Sequence, residues 1–486
     1  MRLEQQAKVR QRGPVRSALG VKPSPAADRT DNGLATSVLE TLPGSVPCYA
    51  SSAPGRLDVL GGIAEYAGAL VLSMPLADRV CVGVRRRDDK TISVDLTMEP
   101  AVDGGPVTFP LSSLDAADGA LKKSEPGRPR GASREAIADC VAGVLCEALR
   151  GGLLQEIPSG LDVAVGSTLR DLGDSGWETA LAAATLGAVA QAFSIQIDAK
   201  KAVAACQRFQ NDWLGWPVGP ADAVCAFLGE TNSLTQLLCQ PCDVAGTVPI
   251  PDDLSIFGIE CDACRPDLKV KHRRVRVATF MGRLLVDRIV RHEQRNHNWW
   301  DGYLSRISVS DYVGSLRDRI PTRMKGKDFL DHFGETGDSL TTIEPDQVYK
   351  IRSRTEHHIY EHARAFQFVE CLARGMRTDD HRVFAEAGEL MYASHWSYGQ
   401  RCGLGDVRTD LIVNLVRKQG VGADLYGAKI SGRGCGGLVA VLARTTDRAE
   451  SAVEGVLESF KSKTGNEARL LRGSSSGALV QDGRGT

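Results

Sequence analysis

The stretch APGRLDVLGGIAEYAG, residues 53–68, decides how the rest of the chain is read. An arginine fixed between a Pro-Gly turn and an aspartate, followed by the paired glycines 61 and 62 and by Glu65-Tyr66, brings a guanidinium and a carboxylate close to exposed backbone. A purely structural strand–turn–strand carries such glycines without the charged pair. Working outward, the segment runs on into the alternating Val80, Val82 and Val84, which predicts a strand. Helical patterns follow at 133–150, after Trp177, and at 199–213, 275–296 and 348–375. Strand-like pieces lie at 234–238 and 254–259, and residues 115–131 read as a surface loop. The block LYGAKISGRGCGGLVAVLA, residues 425–443, reads as strand, Gly-rich turn, strand. The mixture is α+β without strict βαβ alternation, which disfavours a Rossmann sheet or a TIM barrel.

Composition narrows the function classes. With 486 residues, 42% hydrophobic and 24% charged, the chain is expected to fold as two packed domains of an ordinary soluble protein. Lys+Arg 59 against Asp+Glu 60 gives no basic excess, so a nucleic-acid partner is not expected. Thirteen cysteines and no readable secretory signal suggest reduced thiols and a cytoplasmic location. The uncharged stretch 179–197 is Ala-rich and broken by Thr, Gly, Gln and Ser, and is expected as a buried helix rather than a membrane span. Residues 1–45, basic and proline-containing, are expected as a mobile arm, followed by an N-terminal domain at 46–235, a C-terminal domain at 236–478 and a tail at 479–486.

Several residues invite a specific chemistry and a plainer one. Cys239/Cys242 and Cys261/Cys264 form two CxxC pairs at zinc-ribbon separation. If the two strands they end form one antiparallel hairpin, the pairs sit at opposite ends and no zinc site results. The basic run Lys269, Lys271, His272, Arg273, Arg274, Arg276 reads as a solvated helix face, some of which reaches an anionic substrate. Asp222, in GWPVGPAD at 215–222, has the look of an N-cap. The glycines of SGRGCGG at 431–437 allow close approach to a phosphate or to another chain segment.

Taken in order, these blocks resemble the GHMP small-molecule kinases, in the galactokinase and L-arabinokinase branch, over residues 48–478. GYLSRI, YKIRSRTEHHIYEHARA and SHWSYGQRCGLGDVRTDLIV resemble arabinokinase-type segments. The resemblance implies a two-domain α+β fold with the active site in the cleft, and transfer of a phosphoryl group from ATP, with Mg²⁺, to the anomeric hydroxyl of a pyranose. It makes Asp222 the base or hydroxyl-orienting group and Arg56 its cationic partner. Asp58, Gly62, Glu65, Gly219 and His272 become substrate-binding residues. Gly173, Ser175, Gly176, Gly432 and Gly434 become ATP-binding residues.

The departures from the family are as informative. Galactokinases have Glu-His in place of Gly62-Ile63, a pair that helps bind the distal hydroxyls including that on C6. L-arabinopyranose lacks the C6 hydroxymethyl, so loss of the pair suits it. Glu65 stands where the family has Asp, and His272 where it often has Tyr. The phosphate loop of the family, a Gly-Leu-Ser-Ser-Ser run, is replaced by LRDLGDSGWETA at 169–180, and its metal-binding Glu falls near Ala182. Asp174 or Glu178 is the expected replacement ligand for Mg²⁺, and Arg433 replaces a small residue. Arg56, Gly173, Asp222 and Gly434 are expected to converge. The competing reading is a sugar-binding protein of the same fold without kinase turnover. Oligomeric state is not read from the sequence.

Overall fold

The structure, a computed structural model, describes residues 28–42, 44, 46–97, 104–114, 133–170, 174–262, 267–292, 300–378 and 380–480. The expected loop at 115–131, most of the expected arm, Cys264 and Gly173 therefore lie outside the described residues.

Two sheets organise the chain. The first has eight strands: β1 (Cys48–Leu60), β2 (Leu70–Arg86), β3 (Thr91–Leu96), β4 (Val107–Pro110), β5 (Leu161–Ser167), β6 (Ser233–Leu238), β7 (Asp243–Pro249) and the short β12 (Leu479–Val480). Its order is β12-β1-β2-β5-β3-β4, with β6 on β2 and β7 on β6. β3 and β5 run parallel, and the other pairings are antiparallel. The second sheet has four strands, in the order β9-β10-β8-β11: β8 (Leu254–Cys261), β9 (Leu425–Ile430), β10 (Leu438–Arg444) and β11 (Ala468–Leu471). The fold is α+β in two parts, as expected.

The helices cover these sheets. α2 (Arg134–Arg150) starts at Ser133, whose hydroxyl accepts from the Ala136 amide, a normal N-cap. α3 (Trp177–Ala192) is the uncharged stretch, and nearly every residue of it is buried. Its alanines and Gly187 let its backbone lie directly on β1, because a Cβ at 187 would collide with the Ser51 side chain. α4 (Ala199–Arg208) and α5 (Ala221–Leu228) complete the N-terminal part. α6 (Leu268–His292), α7 (Ile351–Thr378), α8 (His381–Ser397), α9 (Val407–Gln419) and α10 (Asp447–Thr464) belong to the C-terminal part. Among the described residues no helix is long and apolar enough to cross a membrane. The described cysteines are free thiols.

Five expectations need correction. Residues 28–40, placed in a mobile arm, form α1 (Asp28–Glu40), because Ala35, Val38 and Leu42 recur on one face and bury against Ala50, Cys81 and Ala164. The expected boundary at 235/236 cuts β6, and both β6 and β7 extend the first sheet. The expected tail at 479–486 begins with a strand paired to β1 through Ser51 and Ser52. Cys239 and Cys261 do not end the two strands of one hairpin: Cys239 follows β6 in the first sheet and Cys261 ends β8 in the second. In the basic run, moreover, His272 and Arg276 are buried, and Arg276 grips Asp338 at 2.8 Å.

Candidate active site

β1 is irregular between Pro54 and Arg56 and again between Asp58 and Leu60. Bulges of this kind re-aim side chains. Here they leave Arg56 and Asp58, two residues apart and so on one face, pointing at a single buried centre. The Arg56 guanidinium donates to Asp222 at 2.5 Å, to Asp58 at 3.0 Å and to the Ser73 hydroxyl at 2.7 Å. Its backbone N–H donates to the Ser175 carbonyl at 2.7 Å, which ties β1 to the segment opening α3. Asp222 stands in the first turn of α5. Its side chain caps nothing, so the N-cap reading is set aside in favour of the ion pair.

Burial opposes the charge of Arg56, but Asp222, Asp58 and Glu65 outweigh it and hold the guanidinium more firmly protonated than usual. Burial likewise pushes Asp222 up. Arg56 and then Arg433, with hydrogen bonds from Arg56 and Gln210, overcome that and leave its carboxyl below the usual value. Asp222 is thus an ionised acceptor at neutral pH. Gln210 donates to its second oxygen at 3.3 Å and also reaches the Thr179 hydroxyl of α3.

Behind Arg56 lies a charged pair that the sequence did not single out. Lys429 of β9 donates to Asp58 at 2.6 Å, and neither side chain is exposed at all. The order of charges through the core is Lys429, Asp58, Arg56, Asp222, alternating in sign. Ser431 exchanges hydrogen bonds with the Asp58 backbone, so the first signature and the Gly-rich motif are stitched together. The available clue to Lys429 was a lone lysine in an otherwise apolar strand, since a buried lysine demands a partner.

The predicted sugar residues meet, but in altered form. Glu65 reaches across to the loop carrying Asp222 and accepts from the amides of Gly219 at 2.7 Å and Ala221 at 3.4 Å. Burial pushes its carboxyl up to about 7 despite Arg56. His272 is buried between Tyr66 and Trp216, and burial with nearby Arg433 pushes it down to about 3, so it is neutral. The Gly62 amide donates to Asp58 at 2.9 Å. Beside it sits Tyr398, also missed by sequence reasoning, whose hydroxyl accepts from the Ile63 amide at 2.9 Å and donates to the Gly432 carbonyl at 3.0 Å. A Cβ at position 62 would fall on that hydroxyl, and φ there is +41°. Gly62→Ala should therefore destabilise the protein by about 1–3 kcal/mol through overpacking. Adding Tyr398→Phe should recover part of the loss in a thermal melt, and a double variant no better than the single would reject this contact as the cause.

The segment opening α3 meets the Gly-rich turn through Asp174. One carboxylate oxygen accepts from Arg433 Nε at 3.0 Å, the other from the Cys435 and Gly436 amides at 2.7 Å each. Gly432 and Gly434 have φ of +62° and +68°, and a Cβ at either would press on Asp174 or Tyr398. Gly176, at φ +75°, precedes the first turn of α3. Glu178 lies 3.7 Å from Arg433, and its Oε2 is buried without a hydrogen-bond partner. Ala182, where the family has its acidic ligand, is packed in the hydrophobic core. Of the two carboxylates expected to hold Mg²⁺, Glu178 has an oxygen engaged only by the 3.7 Å ion pair with Arg433, whereas both oxygens of Asp174 are hydrogen-bonded. Of the four residues expected to converge, Arg56 and Asp222 meet directly, Gly434 packs against Tyr398 and Leu404, and Gly173 lies outside the described residues.

Comparison with solved structures identifies the fold. The chain superposes on a Lactococcus lactis galactokinase complexed with galactose with a TM-score of 0.68 at 17% identity, covering 93% of this chain and 100% of that one. On a Methanococcus jannaschii mevalonate kinase the TM-score is 0.51 at 10% identity, covering 89% and 99%. The chain has the GHMP kinase fold.

Sequence relatives of this GHMP-fold chain lie in the galactokinase and L-arabinokinase branch. It is 28% identical over 482 residues to an L-arabinokinase of Arabidopsis thaliana, covering 88% of this chain and 46% of that protein. It is 28% identical over 412 residues to a galactokinase of Mycobacterium bovis, covering 83% and 91%. The chain therefore spans under half the length of the L-arabinokinase that it matches. No protein-family model matches it.

Proposed function

We propose that this chain is an ATP- and Mg²⁺-dependent sugar kinase that phosphorylates the anomeric hydroxyl of a pyranose, with an L-arabinose-like sugar preferred to galactose. The observation that carries the reading is the buried Arg56–Asp222 pair at 2.5 Å, formed by the two motifs in which the resemblance to sugar kinases is strongest. Phosphoryl transfer asks for a positioned hydroxyl and preorganised positive charge rather than covalent help. Asp222, held ionised, accepts the hydrogen bond of the attacking hydroxyl and takes its proton. Arg56, fixed by Asp58 and Ser73, keeps that carboxylate charged and in place.

The nucleotide phosphates fall to the start of α3, at Ser175 and Gly176, and to the Gly-rich turn at Gly432 and Gly434. Glu178, with its unsatisfied buried oxygen, is the side chain suited to Mg²⁺, which when bound neutralises charge on the phosphates. Asp174, already holding Arg433 and two amides, braces the loop instead. The preference for an L-arabinose-like sugar rests on Gly62 and Tyr398: no side chain can extend from position 62 toward a C6 hydroxyl, and Tyr398 closes the space. Galactose bound to the Lactococcus relative supports a monosaccharide substrate of this ring configuration.

The test is ADP release by the purified chain with Mg·ATP and, in turn, L-arabinose, D-galactose and other pyranoses. Turnover is expected with L-arabinose above galactose. A chain that binds a pyranose but releases no ADP with any of them would hand the site to the sugar-binding role.

A further inference from the structure

Arg433 stands where the two halves of the site meet. Its guanidinium lies 4.3 Å from the centre of the Trp216 ring, donates to Asp174 at 3.0 Å and faces Glu178 at 3.7 Å. The two carboxylates belong to the segment opening α3, the nucleotide side of the proposed reaction. Trp216 belongs to the loop that ends at Asp222, the sugar side. Arg433 is almost wholly buried, and its charge is felt by Asp222 as well as by Asp174 and Glu178. Among the described residues, Arg433 and Arg56 are thus the guanidinium groups acting on Asp222.

Arg56 is committed. It spends its three nitrogens on Asp222, Asp58 and Ser73, which makes it the holder of the acceptor-side carboxylate. Arg433 is differently tied. Its contact with Glu178 is longer than a hydrogen bond, and Asp174 keeps two backbone amides on its other oxygen when the guanidinium turns away. The swap therefore leaves Asp174 satisfied, while Glu178, whose buried Oε2 then loses its ion-pair partner, is the carboxylate that bound Mg²⁺ would have to meet. The Trp216 face is a partner without strict direction, so it can support the guanidinium in either position.

We propose that Arg433 is a second catalytic arginine, supplied by the Gly-rich turn, which exchanges its carboxylate partners for the terminal phosphoryl of ATP as that group crosses to the sugar. This rests on the kinase reading above. In the step, the anomeric oxygen forms a bond to the terminal phosphorus while the bond from that phosphorus to the bridging oxygen breaks. The hydroxyl proton goes to Asp222, and ADP departs with the electron pair of the broken bond. Charge on the equatorial oxygens of the moving group travels from the α3 start toward Asp222, beside the guanidinium that holds Asp174 and faces Glu178. An arginine that stabilises this charge in other phosphoryl-transfer enzymes contributes about 10³–10⁵-fold in kcat.

The experiment is steady-state kinetics of the full chain with Mg·ATP and the best pyranose, on wild type, Arg433→Ala and Arg433→Lys. Arg433→Ala is expected to lower kcat on the order of 10³-fold while the KM for sugar moves by no more than about threefold, less than 1 kcal/mol. Guanidinium ion added at tens of millimolar, against a sodium chloride control, should restore at least about tenfold of that loss in Arg433→Ala and nothing in an Asp222 variant. Arg433→Lys, which keeps the charge but not the forked donors, should remain at least about tenfold below wild type. A kcat for Arg433→Ala within about threefold of wild type overturns the proposal. So does a loss that guanidinium does not relieve, which marks a purely structural role. If Arg433→Ala does not fold, Arg433→Lys decides, and wild-type kcat in it overturns the proposal. Wild type inactive on every pyranose overturns the kinase reading itself, a result distinct from these.

Discussion

Asp222→Asn is expected to lower sugar-dependent ADP formation on the order of 10²-fold or more, the usual cost of removing a positioned acid–base group, while the protein still melts cooperatively. The asparagine keeps the shape of the side chain and loses the charge that Arg56 and Arg433 hold in place. The attacking hydroxyl then has an amide beside it, with no carboxylate to take its proton. The fold should survive because Arg56 retains Asp58 and Ser73. The two readings to take together are ADP formation in a coupled assay and the thermal melt. Activity within about threefold of wild type would remove Asp222 from the chemistry, since general acid–base contributions are far larger than that.

The second large effect concerns stability. Lys429→Met should destabilise the protein by about 3–5 kcal/mol, the cost of breaking a buried ion pair from one side. Lys429 and Asp58 are both fully enclosed, so neither charge can recover water as a partner. Replacing both, with Asp58→Asn added, should cost less than the sum of the single changes, since the cycle isolates the pair. The measurement is denaturant unfolding of the four proteins. A Lys429→Met variant as stable as wild type would show that Arg56 alone satisfies Asp58. The loss should also reach the chemistry, because Asp58 orients Arg56 and Arg56 orients Asp222.

The three Gly-rich blocks were legible because each carries its chemistry in a short run: Arg56 with Asp58, Asp222 in its Gly/Pro turn, and the close-approach glycines at 431–437. What joins them was not. Lys429 reaches Asp58 across 371 positions and Arg433 reaches Asp174 across 259, distances over which no local pattern operates. Tyr398 was visible only as part of a resembling segment, and nothing in its neighbours announces that its hydroxyl meets Ile63 and Gly432. The boundary expected at 235/236 cuts through β6 because β6, β7 and β8 are similar short apolar runs, and only pairing assigns the first two to one sheet and the third to the other. The helix at 28–40 was hidden behind a basic, proline-containing leader whose composition dominated the reading of the whole segment.

The hydroxyl of Tyr398 lodged over Gly62 also bears on how such a chain can change by descent. A lineage carrying this tyrosine meets a collision with its hydroxyl on acquiring even an alanine at 62, and bears its cost. A lineage with a long side chain at 62 cannot accept the tyrosine hydroxyl in this place. The two positions are therefore coupled: a side chain at 62 costs less once Tyr398 has given up its hydroxyl, although Asp58 and the Gly432 carbonyl still stand 3.0 Å from a Cβ there. A mutational walk between the two kinds of sugar signature thus has a cheaper first step, and that step lies in a helix turn far from the signature itself.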